Sequence, residues 1–137
     1  METILVDTSV WINAFKGIET KASVFLRDSN NILVATCPTI VQEVLQGIVS
    51  DKDYQNISEY FNNIINLPTN GYNYAREAAS LYRLLRKKGI TIRKPNDCLI
   101  AVYAIKNNIS VLHDDKDFTN IASFSELRTA QIFTSSL

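Results

Sequence analysis

The feature that most constrains this chain is the apolar run Ile4-Leu5-Val6, which delivers Asp7 directly into Thr8-Ser9. An apolar run of strand length that stops in small polar residues predicts a buried strand passing into a turn or helix cap. Open parallel sheets bind ligands at the carboxyl ends of their strands, so an acid at that point stands where chemistry is done. Asp7 equally suits a plain N-cap for the helix that begins near Ser9. Both readings stand until the later segments are considered.

Similar runs recur at residues 32–35 and 109–112, and residues 129–133 are expected as a last strand. Helical spacing fills the intervals. It predicts helices over residues 9–16, 20–28, 51–66 and 72–88, another starting at Pro38, and a short one around residues 121–124. Pro95 suits the first turn of a further helix, whose residues 99–105 are apolar on nearly every side and should be buried. Short strands alternating with helices specify the α/β class: a three-layer α/β/α sandwich around a mainly parallel sheet. The 137 residues are expected to form one domain, 1–137.

Composition excludes several function classes. With 46% hydrophobic and 20% charged residues and zero formal charge, the chain reads as an ordinary globular protein that does not coat nucleic acid by bulk electrostatics. No apolar run is long enough to span a bilayer, and a cytoplasmic location is expected. Cys37 and Cys98 form no CxxC pair and are expected as reduced, buried thiols.

Charge is nevertheless locally uneven. The 72–88 helix sets Ala78, Leu81, Tyr82 and Leu85 on one side, with Arg76, Ser80, Arg83 and Lys87 along the other. From Arg83 to Lys94 there are six cations and no acid. Such a stripe is either a solvated face or a set of phosphate contacts.

The acids follow the predicted elements. Asp7 ends the first strand, Asp97 lies in the first turn of the buried helix, and Asp115 and Asp117 follow the strand at 109–112. Glu43 sits at the edge of the apolar arc of the helix begun by Pro38, with Gly47 one turn on leaving room for another group to approach it. Packed at one end of a sheet with little positive charge nearby, these carboxylates would repel one another at a cost of several kcal/mol. A divalent cation relieves that cost. An all-oxygen set without paired His or Cys suits Mg²⁺ or Mn²⁺, and such ions support in-line attack on a phosphodiester.

In these motifs the chain resembles the PIN-domain family, and within it the VapC-like toxins of bacterial toxin–antitoxin pairs. The likeness is carried by Asp7-Thr8-Ser9 with Trp11, by Glu43 in TIVQEVLQG, by Asp97 in PNDCLIAVYA, and by VLHDDKDF with Phe118. The resemblance implies a PIN fold, Mg²⁺-dependent RNase activity, and inhibition by a cognate antitoxin that presents a basic residue to the acids. Matched residue by residue, it assigns Asp7, Glu43, Asp97 and Asp115 to the acidic quartet, with Asp7, Asp97 and Asp115 on metal and Glu43 acting through water. Ser9 matches an auxiliary polar residue, and either Asp115 or Asp117 completes the site. His113 stands where such toxins often carry Thr or Ser, and an ordinary structural or exposed role is expected for it. Arg76, Arg83 and Lys87 are expected to contact RNA, with transfer RNA the candidate substrate. A homodimer is also expected from the resemblance.

Two other functions remain open on sequence. One is a PIN nuclease of RNA processing rather than a toxin; the other is a non-catalytic interaction module whose acids only cap helices. An Asp-nucleophile phosphoryl-transfer enzyme fits less well, because it commonly wants a second acid where this chain has Ser9.

Overall fold

A computed structural model describes residues 1–132. Strand β1 (Glu2–Val6) leads into helices α1 (Thr8–Phe15) and α2 (Lys21–Asp28), and β2 (Ile32–Thr36) into α3 (Pro38–Gln46) and α4 (Asp51–Asn62). Then come β3 (Ile65–Asn66), α5 (Gly71–Lys87), α6 (Asn96–Lys106), β4 (Ser110–Leu112) and α7 (Lys116–Ser123). The strands form one parallel sheet in the order β3-β2-β1-β4.

Strand β1 is central because both its neighbours bury it. Ile4, Leu5 and Val6 point alternately to opposite faces of the sheet, and all three are at most 1% exposed. Helices therefore cover both faces, which makes the three-layer sandwich. Leu5 pairs with Ala35 on one side and Val111 on the other. The chain moves outward from β1 through β2 to β3, then returns to the other edge of β1 as β4. The gap beyond the carboxyl ends of β1 and β4 is thus the topological switch point, the usual ligand crevice of such sheets.

Local sequence places the elements that frame this gap. Trp11 lies against Phe15, Tyr60 and Phe61, and its indole N–H donates to the Val6 carbonyl at 3.0 Å, fixing α1 on the end of β1. Helix α6 has no polar face in its centre; Ile100, Ala101, Val102, Tyr103 and Ala104 are all buried. Leu99 and Ile105 at the ends of that run are only half-buried. Helix α5 stops at a left-handed Gly89, φ +84°, where the Gly89 and Ile90 N–H groups donate to the Arg86 and Leu85 carbonyls. That double bond satisfies the last carbonyls of the helix and turns the chain back toward the sheet. Cys37 and Cys98 are free and buried. No helix among the described residues is long and apolar enough to cross a membrane.

Two expected elements differ. The helix expected over 51–66 ends at Asn62, and Ile65-Asn66 instead pairs with Ala35-Thr36 as β3. The Asn66 side-chain amide donates to the Phe61 and Ile64 carbonyls, a local turn that competes with continued helix. The last strand expected over 129–133 is reduced to one parallel bridge between Val111 and Thr129, and Phe133 and the four residues after it lie outside the described residues. Among the described residues, its backbone hydrogen bonds to β4 are those from the Val111 N–H to the Arg128 carbonyl and from the Ala130 N–H to the Val111 carbonyl.

Candidate metal centre

At the end of β1, Asp7 does two things at once. Its backbone N–H donates to the Leu112 carbonyl at 2.9 Å, extending the β1–β4 pairing by one bond. Its Oδ2 caps α1, accepting from the Ser9 N–H at 3.1 Å and the Ser9 hydroxyl at 2.6 Å. Capping and site roles, competing on sequence, are therefore compatible. Asp7 Oδ1 is left buried with no hydrogen-bond partner among the described residues. The Ser9 hydroxyl in turn accepts from the Asp114 N–H at 3.1 Å, and Asp114 Oδ2 accepts from Asn13 and Thr20, tying the loop after β4 to α1 and α2. Asp114 is thereby occupied away from its acidic neighbours.

Glu43 reaches this point from α3. The Thr8 hydroxyl donates to its Oε1 at 2.9 Å, and its charge adds to the factors that raise Asp7. Gly47 lies beyond it in a groove of about 510 Å³ formed with Ile12, Phe15 and Ile57 of α1 and α4, so its open side faces that groove.

Asp97, Asp115 and Asp117, all buried, each bring a carboxylate oxygen to within 4.8 Å of the others. Asp115 caps α7 by accepting from the Asp117 N–H at 3.0 Å through Oδ1, which leaves Oδ2 facing Lys94. Asp117 Oδ2 accepts the Arg93 N–H at 3.2 Å. Asp97 Oδ2, like Asp7 Oδ1, is buried without a partner among the described residues.

Electrostatics follow from this crowding. Burial, then the charges of Asp7 and Asp115, pushes the Asp97 carboxyl up to about 8. Burial raises Asp7 as well, against the pull of the Ser9 hydrogen bonds. Asp115 is pulled up by burial, but the Asp117 N–H and Lys94 outweigh it and hold the carboxyl below its ordinary value. His113 packs its ring 5.3 Å from that of Phe118, has a buried Nδ1 without a partner among the described residues, and is lowered by burial.

The expectation of little positive charge nearby is not met. Lys94 Nζ lies 3.4 Å from Asp115 Oδ2, and the Arg93 guanidinium lies 3.5 Å from Asp115 and 3.9 Å from Asp117. Sequence placed these two cations only in the general basic stretch; the contact depends on the turn before α6, which residue spacing does not reveal. The basic stripe is also divided. Arg83 lines a surface with Pro95 and Asn96 at the start of α6, whereas Arg76 lines another with Glu77 and Lys106 at its far end. From Asp97 to Lys106 the axis of α6 spans about 14 Å, so Arg76 is removed from the acids by most of a helix.

A divalent cation fits these residues. The donor set is all oxygen, and two buried carboxylate oxygens on different elements, Asp7 Oδ1 and Asp97 Oδ2, have no hydrogen-bond partner among the described residues. Unpaired buried carboxylates of this kind are costly without a counter-charge.

The PIN domain family profile matches residues 4–123. The chain is 34% identical over 130 residues to ribonuclease VapC11 of Mycobacterium tuberculosis, covering 93% of this chain and 97% of the relative. Among solved structures it superposes on VapBC-1 from nontypeable Haemophilus influenzae with a TM-score of 0.69 at 17% identity, over 93% of this chain and 96% of that chain. It also superposes on Mycobacterium tuberculosis VapC20, a sarcin-ricin loop cleaving toxin, with a TM-score of 0.63 at 16% identity, over 91% and 98% of the two chains.

Proposed function

Since the chain belongs to the PIN-domain family, we propose that it is a Mg²⁺-dependent endoribonuclease of the VapC toxin type, restrained by a cognate antitoxin. The observation that carries this reading is Asp97 Oδ2, buried within the cluster it forms with Asp115 and Asp117, together with Asp7 Oδ1, whose charge acts on Asp97; neither oxygen has a partner among the described residues. In this reading Asp7, Asp97 and Asp115 hold Mg²⁺, for which Mn²⁺ substitutes, and Glu43 and Asp117 act through water. A bound divalent ion supplies an activated water and charge stabilisation at the scissile phosphate.

The chain's own residues set the frame for that step. Ser9 holds Asp7 Oδ2 so that Oδ1 turns inward. Thr8 holds Glu43 toward the same end of the sheet, where its carboxylate orients the attacking water. In this reading Arg83 and Lys87, in the carboxyl-terminal part of α5, contact the RNA backbone; the surface that Arg83 lines with Pro95 and Asn96 supports it.

The test is cleavage of cellular RNA by the purified protein with Mg²⁺, with EDTA, and with folded Asp7→Asn and Asp97→Asn variants. Cleavage that persists in EDTA or in both variants removes the mechanism. Mapping the cleaved ends tests transfer RNA as the substrate. The VapBC-1 name of the superposed Haemophilus influenzae structure supports an antitoxin partner; rescue of growth by co-expression of a small protein encoded beside this chain tests it, and size-exclusion with light scattering tests the homodimer.

A further inference from the structure

Arg93 and Lys94 sit in the segment between α5 and α6, and their backbones are fixed from three directions. Ile92 before them is buried, the Arg93 N–H is bound to Asp117, and the Lys94 carbonyl accepts the Asp97 N–H at 2.9 Å. One turn therefore positions both a candidate metal-binding acid and a cation. The side chains differ from the backbone: they are 65% and 61% exposed. Their contacts to Asp115 and Asp117, at 3.4 to 3.9 Å, are longer than the roughly 2.7–2.9 Å of a charge-assisted hydrogen bond. Guanidinium and ammonium are thus held over the acids chiefly by charge, with most of their N–H donors unspent. Lys94 also feels Asp97 and Asp7, so it faces the centre of the cluster, whereas Arg93 stands at its Asp117 edge.

We propose that Arg93 and Lys94 form a phosphate-holding pair at the rim of the acidic centre, Lys94 gripping the RNA phosphate nearest the acids and Arg93 an adjacent one. This rests on the nuclease reading above. An acidic cluster repels a polyanion, and two cations on a rigid turn at its edge offset that repulsion where the backbone must enter. The same two charges neutralise Asp115 and Asp117 while no divalent ion is bound, so they compete with the ion for those carboxylates.

The test is affinity of a fluorescein-labelled single-stranded RNA of mixed sequence, with Ca²⁺ in place of Mg²⁺ and intact RNA verified on a gel. Lys94→Gln and Arg93→Gln are each expected to weaken binding roughly tenfold and to lower the slope of log affinity against log salt by about 0.7. Lys94→Arg should retain most of the affinity, and Lys106→Gln, an equal charge loss at the far end of α6, should leave it unchanged. Mn²⁺ affinity measured without RNA should rise several-fold in Lys94→Gln, whereas a merely structural role would lower both affinities together. Unchanged RNA affinity and salt slope in Lys94→Gln and Arg93→Gln overturn the proposal, as does a wild-type protein that does not bind RNA. Binding that depends on the pair in a protein that fails to cleave with Mg²⁺ would uphold the pair and remove the nuclease reading.

Discussion

The Thr8 hydroxyl donates a 2.9 Å hydrogen bond to Glu43 Oε1, joining the first turn of α1 to α3 across thirty-five positions of sequence. The bond occupies Oε1 and leaves Oε2 outside it; in the proposed nuclease Oε2 is the oxygen that orients water. Thr8→Val keeps the side-chain shape and removes the donor. Loss of such a supporting bond is expected to reduce RNA cleavage about tenfold or more, with little change in melting temperature. Cleavage rates at several Mg²⁺ concentrations check it.

The buried acids make stability depend on pH in a defined direction. Asp97 has an ordinary value of 3.8 in the unfolded chain and about 8 in the folded one. The folded state holds that proton more tightly, so the contribution is full below pH 3.8 and is lost as pH rises through about 8. Asp7, also raised, acts in the same direction. Asp115 is depressed, and its contribution is lost only in acid, below its ordinary value. Metal-free protein should therefore melt at progressively lower temperature from pH 5 to about pH 8, and Asp97→Asn should flatten that decline. Calorimetry in EDTA across this range measures both.

Binding of a divalent ion should supply what the acids lack. Mg²⁺ or Mn²⁺ at about 100 times its dissociation constant adds about 2.7 kcal/mol to the folded state. The gain should grow as pH rises through about 8, where Asp97 loses its proton, and should fall sharply in Asp7→Asn and Asp97→Asn. Thermal shift with and without EDTA is the measurement.

Trp11 anchors α1 to the sheet through its indole N–H, bonded to the Val6 carbonyl one residue before Asp7. Trp11→Phe keeps an aromatic ring among Phe15, Tyr60 and Phe61 but strands that carbonyl. The expected loss is about 1–3 kcal/mol in urea unfolding, the cost of an unsatisfied buried acceptor.

Much of this molecule was legible in sequence because its strongest signals are local. The runs at β1, β2 and β4 were identifiable from apolar length alone, and their ends located Asp7 and the Asp115/Asp117 pair. What escaped was non-local. Ile65-Asn66 reads as helix because Phe61, Ile64 and Ile65 keep helical spacing, and only pairing with Ala35-Thr36 makes it a strand. Nor does spacing show that Arg93 folds over Asp117, since that contact is set by where the turn after Gly89 delivers the chain. The free oxygen of Asp7 was hidden for a different reason: a capping residue has two oxygens, and sequence does not say that only one is used.

The parallel pairing of β4 with β1 sets Ser110 beside Ile4 and Leu112 beside Val6. During synthesis the ribosome makes β4 long after β1, with most of the helices between them, and the turn carrying Asp115 and Asp117 emerges after β4. Until that late strand docks, a nascent chain can place Asp7 and Glu43 together but has no Asp115 or Asp117 to set against Asp97. The acidic centre is therefore completed only after β4 is made, so a nascent chain that stops short of β4 does not carry it assembled.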